Sequence, residues 1–365
     1  MKSDRIYRQR VGFLKLFLHF SLFFLALSCQ SDSSITPEII LESKPLEELI
    51  AEIETGTYGE IHSLLISKND TLIMEQYFNG YERDHLHRLY SVTKSITSAL
   101  IGIALSQEKI KTLENNVLNS FTEYSNIANL DSRKKAITIE DLLTMSAGFT
   151  WDESSTSYDS HANDAFKLGR SSDWMKTHAR STHEVLSQVQ NSFIDSGGTM
   201  LLSGIIRNAT GMTAENFAQS YIFEFLGISN WNWRTGPNQI TNTGWGLDLR
   251  PRDMLKFGEL YLKKGVYHNV KIVPQNWITQ STETKISAGP NYNYAYQWWR
   301  FSDTSSIGMA LKINDLFFAW GYGGQFIFVM PHLNTVVVST GGNFENSSIA
   351  FDFLEDYILA AVKSD

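Results

Sequence analysis

The segment that begins at Ser91 constrains the fold more than any other part of the chain. Lys94 follows three residues later, so on a helix the two side chains share one face, one turn apart. A hydroxyl beside an amine that takes its proton is an activated nucleophile. The apolar residues that follow recur at the spacing of a buried helix face, and they are Ile96, Ala99, Leu100, Ile103 and Ala104.

Two other serines, Ser106 and Ser132, also have a lysine three residues later. Ser106 lies in the polar end of the same predicted helix, and Ser132 lies in a charged loop. Ser91 would stand at the N-cap, where free backbone N–H groups and the helix dipole stabilise developing negative charge. Context therefore favours Ser91, although an N-cap serine with an unrelated lysine is the alternative interpretation of the tetrad alone.

The first 28 residues have the pattern of a signal peptide. Basic residues at five positions precede an apolar run from Leu16 to Leu27, which is too short for a typical membrane span. The run ends at the only cysteine, Cys29, in a sequence that resembles a bacterial lipobox. We expect residues 1–28 to be a lipoprotein signal peptide, Cys29 to be lipidated and residues 29–44 to be a tether. This predicts an exported protein of the cell envelope, anchored to a membrane by lipid; an uncleaved anchor or an ordinary signal peptide is the alternative.

The rest of the chain, residues 45–365, reads as one domain of mixed class. Predicted strands lie at both ends, and helical patterns fill the region from about 111 to 285. The sequence therefore predicts an α+β fold with an antiparallel sheet built from both termini, flanked by helices, and an inserted all-helical subdomain. The predicted strands are Ile61–Ser67, Thr71–Phe78, Leu316–Trp320, Phe326–Met330 and Thr335–Thr340.

Composition excludes several kinds of function. The net charge is −8 and no long basic run occurs, so a nucleic-acid partner is not expected. A single cysteine allows no internal disulfide. The sequence contains neither a His-Glu-x-x-His pattern nor a Gly-x-Ser-x-Gly elbow nor a phosphate-binding glycine loop. We therefore expect no metal and no cofactor.

Three segments, in chain order, carry a resemblance to a known family. They are the tetrad that follows Leu89-Tyr90, the segment Ile137–Gly148, and the segment Gly321–Pro331. Together they resemble the penicillin-recognising serine hydrolases, and particularly the class C β-lactamase-related group. That group includes D,D-peptidases, esterases and hydrolases of 6-aminohexanoate (nylon) oligomers. The resemblance covers roughly Pro45 to Val362 and implies the β-lactamase/transpeptidase-like fold.

The resemblance also implies residue roles. Ser91 would attack a carbonyl and form an acyl-enzyme, with Lys94 as its base. The oxyanion would be held by the backbone N–H groups of Ser91 and Gln325. The residues expected to line the substrate site are Tyr322, Gly323, Gly324, Asp195 and Ser196.

Two positions depart from the family pattern. Tyr322 stands where β-lactamases usually have a lysine that binds a carboxylate, which favours an ester or amide substrate over a β-lactam. Ile194 stands where relatives have a proton-relaying tyrosine. Either Lys94 serves alone as base, another tyrosine such as Tyr158 fills the gap, or the chemistry is lost. The sequence thus predicts a serine hydrolase, with a catalytically silent binding lipoprotein as the alternative.

Overall fold

A computed structural model describes residues 43–124, 127–179 and 194–363, all within the unit Glu38–Asp365. The predicted signal peptide and Cys29 lie outside the described residues, as does nearly all of the tether. The described strands are β1 (Ile61–Lys68), β2 (Thr71–Tyr77), β3 (His87–Arg88), β4 (Trp231–Trp233), β5 (Leu247–Leu249), β6 (Val266–Tyr267), β7 (Val270–Lys271), β8 (Ile286–Ser287), β9 (Tyr292–Tyr294), β10 (Trp299–Phe301), β11 (Phe317–Gly321), β12 (Gln325–Met330) and β13 (Thr335–Gly341).

The helices surround and interrupt these strands. They are α1 (Lys44–Glu54), α2 (Val92–Ser106), α3 (Ser132–Ala136), α4 (Ile139–Leu143), α5 (Asp164–Arg170), α6 (Trp174–Ala179), α7 (Ser196–Thr210), α8 (Ala214–Ala218), α9 (Glu224–Leu226), α10 (Pro251–Leu262), α11 (Gln275–Thr282), α12 (Ser306–Leu311), α13 (Ala350–Phe353) and α14 (Leu359–Lys363). A π-helical turn over Leu354–Ile358 joins α13 to α14. No helix among residues 43–124, 127–179 and 194–363 is long and apolar enough to cross a membrane.

The main sheet joins the two ends of the chain. Its eight strands follow the order β2-β1-β13-β12-β11-β10-β9-β8, with antiparallel neighbours. Strand β1 pairs with β13 from Ile61 opposite Gly341 to Lys68 opposite Thr335. This arrangement confirms the predicted α+β fold with a sheet built from both termini.

The sheet is covered on both faces, because side chains alternate between its two sides. Leu65, Ile327 and Val338 belong to the apolar cluster that includes α2 and α7. Leu64, Phe328 and Val337 belong to the other cluster, with α1 and the C-terminal helices. The near-continuous burial along β12 and β13 follows from this double cover.

The sequence analysis predicted an all-helical region from about 111 to 285. The structure corrects this prediction, because the region also contains short strands. Strand β5 pairs with both β3 and β4 in a small sheet, and β6 and β7 form a hairpin. Strands of two or three residues are too short to display the period-two pattern by which strands are recognised in a sequence. The small sheet positions the chain directly before Ser91, since the Leu89 N–H donates to the Leu247 carbonyl at 2.9 Å.

Helix α2 is almost completely buried. Thirteen of its 15 residues, Val92 to Ala104, are buried. It packs against α7, β11 and α11. A Cβ atom on Gly102 would lie 2.2 Å from Trp277 Cγ of α11, so this close approach requires glycine.

Candidate active site

Ser91 lies at the sharp entry into α2. Tyr90, directly before it, has a φ of +47°, in the left-handed region that a bulky residue rarely occupies. Such strained residues concentrate at functional sites. The C-terminal end of β11 lies beside Ser91. A Cβ atom on Gly321, the last residue of β11, would lie 3.3 Å from the Ser91 backbone nitrogen. The local backbone thus presents the Ser91 hydroxyl beside the end of a strand.

Lys94 contacts Ser91 as the helix spacing predicted. Its Nζ lies 2.7 Å from Ser91 Oγ, 2.8 Å from Ser196 Oγ and 3.1 Å from the Gly244 carbonyl oxygen. The lysine is only 2% exposed. Burial lowers its pKa to about 8, while the nearby carboxylates of Glu153 and Asp195 act in the opposite direction. A neutral amine is therefore accessible near neutral pH.

Ser196 and Asp195, both expected to line the substrate site, occupy different positions in the structure. Ser196 contacts Lys94 and also lines a cavity of 370 Å³ beside Ser91. Asp195 caps α7, where its side chain accepts the Gly198 N–H at 2.8 Å. Asp195 is 8% exposed and does not line the described cavities beside Ser91. The expected substrate contact of Asp195 is therefore replaced by a structural one.

A second cavity, of 150 Å³, is also lined by Ser91. Ile194 lines it, so an aliphatic side chain does face the site where relatives have tyrosine. The aromatic residues that line it are Tyr158, Tyr294, Trp299, Trp320 and Tyr322, and the remaining lining residues are Ser91, Lys94, Met145, Gly321 and Ser347. Most of the described lining is apolar, and Lys94 is the only cation among these described residues.

Tyr158 lines both cavities, and its ring centroid lies 4.8 Å from that of Tyr322. The pKa of its hydroxyl is raised far above the ordinary range by burial and then by the Glu153 carboxylate and Tyr322. The phenol therefore stays protonated and acts as a hydrogen-bond donor rather than a base. Of the tyrosines considered from the sequence, this one does reach the site.

Gln325 does not take the place expected for an oxyanion donor. It is paired with Gly321 inside the hairpin, and its amide Nε2 donates to the carbonyls of Gly341 at 2.7 Å and Tyr322 at 3.2 Å. Gln325 is absent from the described cavities beside Ser91. Gly321 is the residue beside Ser91, so the residue that follows it, Tyr322, lies three positions before the donor expected from the sequence.

Gly323 and Gly324 form the turn between β11 and β12, with φ of +80° and +89°. The Gly323 N–H donates to Ser347 Oγ at 2.9 Å. Neither glycine lines the described cavities at Ser91. Their role within the described part of the chain is therefore to close the hairpin, which leaves Tyr322 as the member of the predicted triad that faces the site.

Glu153 is the residue at this site that the sequence reasoning missed. It is fully buried behind Ser196, and Ser196 Oγ donates to its Oε1 at 2.7 Å. Glu153 lies in a segment with no strand or helix, so no periodic pattern marked it. The adjacent acidic residues Asp152 and Glu153, shortly after the Ile137–Gly148 segment, were the available signal. Residues 43–124, 127–179 and 194–363 contain no cluster of side chains suited to hold a metal ion.

The comparisons with known proteins agree with this geometry. The Beta-lactamase family model matches residues 61–343, and the chain therefore belongs to the β-lactamase family. The 6-aminohexanoate-dimer hydrolase of Paenarthrobacter ureafaciens is 22% identical over 318 residues, which cover 80% of this chain and 74% of the relative. This confirms the family resemblance inferred from the motifs.

Solved structures show the same fold. A Bacillus anthracis protein provisionally described as a 6-aminohexanoate-dimer hydrolase superposes with a TM-score of 0.69 at 21% identity, over 87% of this chain and 81% of its own. EstCE1, a hydrolase with promiscuous acyltransferase activity, gives a TM-score of 0.66 at 17% identity, over 87% and 98% of the two chains. The fold is thus that of β-lactamase-related serine hydrolases.

Proposed function

We propose that this protein hydrolyses an ester or amide through an acyl-enzyme on Ser91. The observation that carries the proposal is the 2.7 Å contact between Ser91 Oγ and the Nζ of a buried Lys94. A lysine with a pKa of about 8 is a competent base near neutral pH, because a useful fraction is unprotonated. A buried, paired serine and lysine in a cleft are the elements of nucleophilic catalysis.

The reaction proceeds in two halves. Ser91 Oγ bonds to the carbonyl carbon while its proton passes to Lys94 Nζ, and the carbonyl electrons move to oxygen. Collapse expels the leaving group, which takes the proton from Lys94. Water then attacks the acyl-enzyme and gives a proton to Lys94. Lys94 passes this proton to Ser91 Oγ as the bond from Oγ to the acyl carbon breaks, which releases the acid and restores the Ser91 hydroxyl and the neutral amine.

The oxyanion is held by two backbone N–H groups. One belongs to Ser91. Tyr322 supplies the second, since its N–H follows Gly321, the residue beside the Ser91 nitrogen, and Tyr322 lines the apolar cavity. This replaces the assignment of the second donor to Gln325.

The acyl group is small and uncharged. A cavity of 150 Å³ with five aromatic side chains in its lining accepts apolar groups, and among its described lining residues Lys94 is the only cation. The 370 Å³ cavity, also lined by Ser91, has Arg88 and Arg170 in its lining. The related hydrolase that acts on a 6-aminohexanoate dimer and the hydrolase EstCE1 support an amide or ester substrate.

The alternative is a catalytically silent binding protein. Its support is Ile194, an aliphatic side chain lining the cavity where relatives relay a proton. The intact contact between Ser91 and Lys94 and the presence of Tyr158 at the same cavity favour the enzyme.

Hydrolysis of p-nitrophenyl acetate, butyrate and octanoate, beside nitrocefin as a β-lactam, tests the proposal. We expect turnover of the short esters, little of nitrocefin, and a loss of at least about a thousandfold in Ser91→Ala. Ser106→Ala is the matched control, because Ser106 also precedes a lysine by three residues but lies at the far end of α2. Equal turnover by wild type and Ser91→Ala would contradict the enzyme and favour the silent protein.

We also propose that the protein is exported and lipid-anchored at Cys29 in the cell envelope. The support is the basic start, the short apolar run and the lone cysteine that follows it. Labelling with a palmitate analogue tests this: incorporation should disappear in Cys29→Ala. Labelling that persists in this variant would contradict the anchor and leave the hydrolase proposal unaffected.

A further inference from the structure

We propose that Glu153 is a positioning residue of this site, which stabilises the ammonium that forms when Lys94 takes the proton of Ser91. The proposal rests on the proposed acyl-enzyme function. Glu153 touches no reacting atom, and it acts through Ser196 and Lys94.

The contacts of Glu153 define a continuous chain of hydrogen bonds. Its Oε1 accepts the Ser196 hydroxyl at 2.7 Å, and its Oε2 accepts Trp151 Nε1–H at 2.7 Å and the Ser196 N–H at 3.2 Å. Because Ser196 gives its hydroxyl hydrogen to Glu153, the oxygen of Ser196 is left to accept from Lys94 Nζ, 2.8 Å away. The order is Ser91, Lys94, Ser196, Glu153.

A fully buried carboxylate is unfavourable unless a counter-charge and hydrogen bonds compensate it. Lys94 is the cation that interacts with Glu153, and the carboxylate raises the pKa of Lys94 against the effect of burial. Burial in turn raises the pKa of Glu153, and Lys94 opposes that rise. The two groups therefore stabilise each other's charged forms.

Four further ionisable groups lie near this pair. Asp195, directly before α7, also raises the pKa of Lys94. The buried His178 lies near Asp195, with its Nε2 atom 3.5 Å from Asp195 Oδ1. Tyr158 and Tyr294 both have pKa values raised by burial and by Glu153, so both stay neutral. Glu153 and Asp195 are thus the two negative groups that act on Lys94, and only Glu153 reaches it through a hydrogen-bonded hydroxyl.

The geometry gives Glu153 a defined part in the first half-reaction. As the bond from Ser91 Oγ to the carbonyl carbon forms, the proton moves to Lys94 Nζ. The new ammonium donates to Ser196 Oγ and to the Gly244 carbonyl, and the Glu153 charge stabilises it. No proton reaches Glu153, and Lys94 later gives its proton to the leaving group. A buried aspartate acts on the histidine of serine-protease triads in the same physical way.

The pH dependence of Ser91 labelling by a fluorophosphonate tests this without knowledge of the substrate. The second-order labelling rate should rise with pH as Lys94 loses its proton. In Glu153→Gln we expect a plateau about tenfold lower and a midpoint about one pH unit lower, because an opposite charge that raises the lysine pKa is gone. Glu259→Gln is the matched control, since Glu259 also accepts a serine hydroxyl, from Ser67 at 2.7 Å.

Ser196→Ala is a second variant that removes only a hydroxyl and serves if Glu153→Gln does not fold. It should shift the midpoint in the same direction, because the ammonium loses an acceptor. The role of Glu153 is overturned if both variants keep the wild-type midpoint and their labelling rates are lower than wild type by the same factor at every pH. Wild type that is labelled no faster than Ser91→Ala overturns the proposed function itself, so the two failures are distinct.

Discussion

The pKa of Lys94 is lowered because the side chain is buried. Removal from water destabilises its ammonium, and the pKa falls to about 8. The hydrogen bonds to Ser196 and the Gly244 carbonyl orient the amine while its remaining position faces Ser91. One side chain thus combines an accessible neutral form with a fixed direction toward the nucleophile.

The pH dependence of esterase activity follows from this lysine. Since its pKa is lowered, the neutral base is scarce at pH 6 and predominant above about pH 8, so the rate of acylation should rise with pH and level off there. Lys94→Met should lower the rate by about a hundredfold or more. Lys109→Met, from the second tetrad, is the control, and an equal loss in both would contradict the role of Lys94.

Tyr158 is the second residue whose removal is informative. Its phenol stays protonated and lines both cavities beside Ser91, so it can donate to a leaving group. We expect Tyr158→Phe to lower amide hydrolysis about tenfold or more and ester hydrolysis less, because an amine must be protonated to leave. Steady-state kinetics on a matched ester and anilide measure this; Tyr221→Phe should change neither.

At the scale of elements, the position of α2 depends on how closely α11 approaches it. Gly102 allows the Trp277 ring to lie against the helix backbone. The same helix carries Ser91 and Lys94 at its start and packs against β11, the strand whose end lies beside Ser91. Any displacement of α2 therefore changes the distance between Ser91 and the end of β11, which carry the proposed nucleophile and oxyanion donors.

Gly102→Ala should destabilise the protein by about 1–3 kcal/mol, because the added methyl group overlaps the Trp277 ring. Gly169→Ala is the control in an exposed position of α5, where a Cβ atom meets nothing within 4 Å. That change should be neutral or stabilising by up to about 1 kcal/mol. Urea unfolding followed by tryptophan fluorescence measures both, and equal effects would contradict the packing argument.

At the scale of the whole molecule, strands that are distant in sequence form one sheet. Strand β13 pairs with β1 on one side and with β12 on the other. Helix α13 closes the outer face, where the buried Phe351 ring contacts the rings of Phe318, Phe326 and Phe328. The sheet beside the site therefore depends on residues distant in sequence.

Phe351→Ala should destabilise the protein by about 3–5 kcal/mol, because it leaves a cavity in this aromatic cluster. Since the cluster supports the sheet that carries β11, esterase activity and tryptophan fluorescence should be lost in one coincident urea transition. Activity lost well before the fluorescence change would show that the site unfolds separately from the sheet.

Part of this architecture follows from local sequence pattern. The helix after Ser91 and the strands near both termini have strong periodicity, and the Ser91–Lys94 contact is set by helix spacing alone. Tyr158 and Glu153 lie in a segment without regular structure, so their positions depend on tertiary contacts. The pairing of Gly321 with Gln325 across the β11–β12 hairpin leaves Tyr322, three residues before Gln325, as the residue that lines the site, and this pairing is not written in the local sequence pattern.

The most direct measurement of the central claim is peptide mapping by mass spectrometry after reaction with a fluorophosphonate. The account predicts one adduct per chain, on the peptide that contains Ser91, absent in Ser91→Ala and strongly reduced in Lys94→Met. An adduct on another residue, or no adduct on wild-type protein that is shown to be folded, would contradict it.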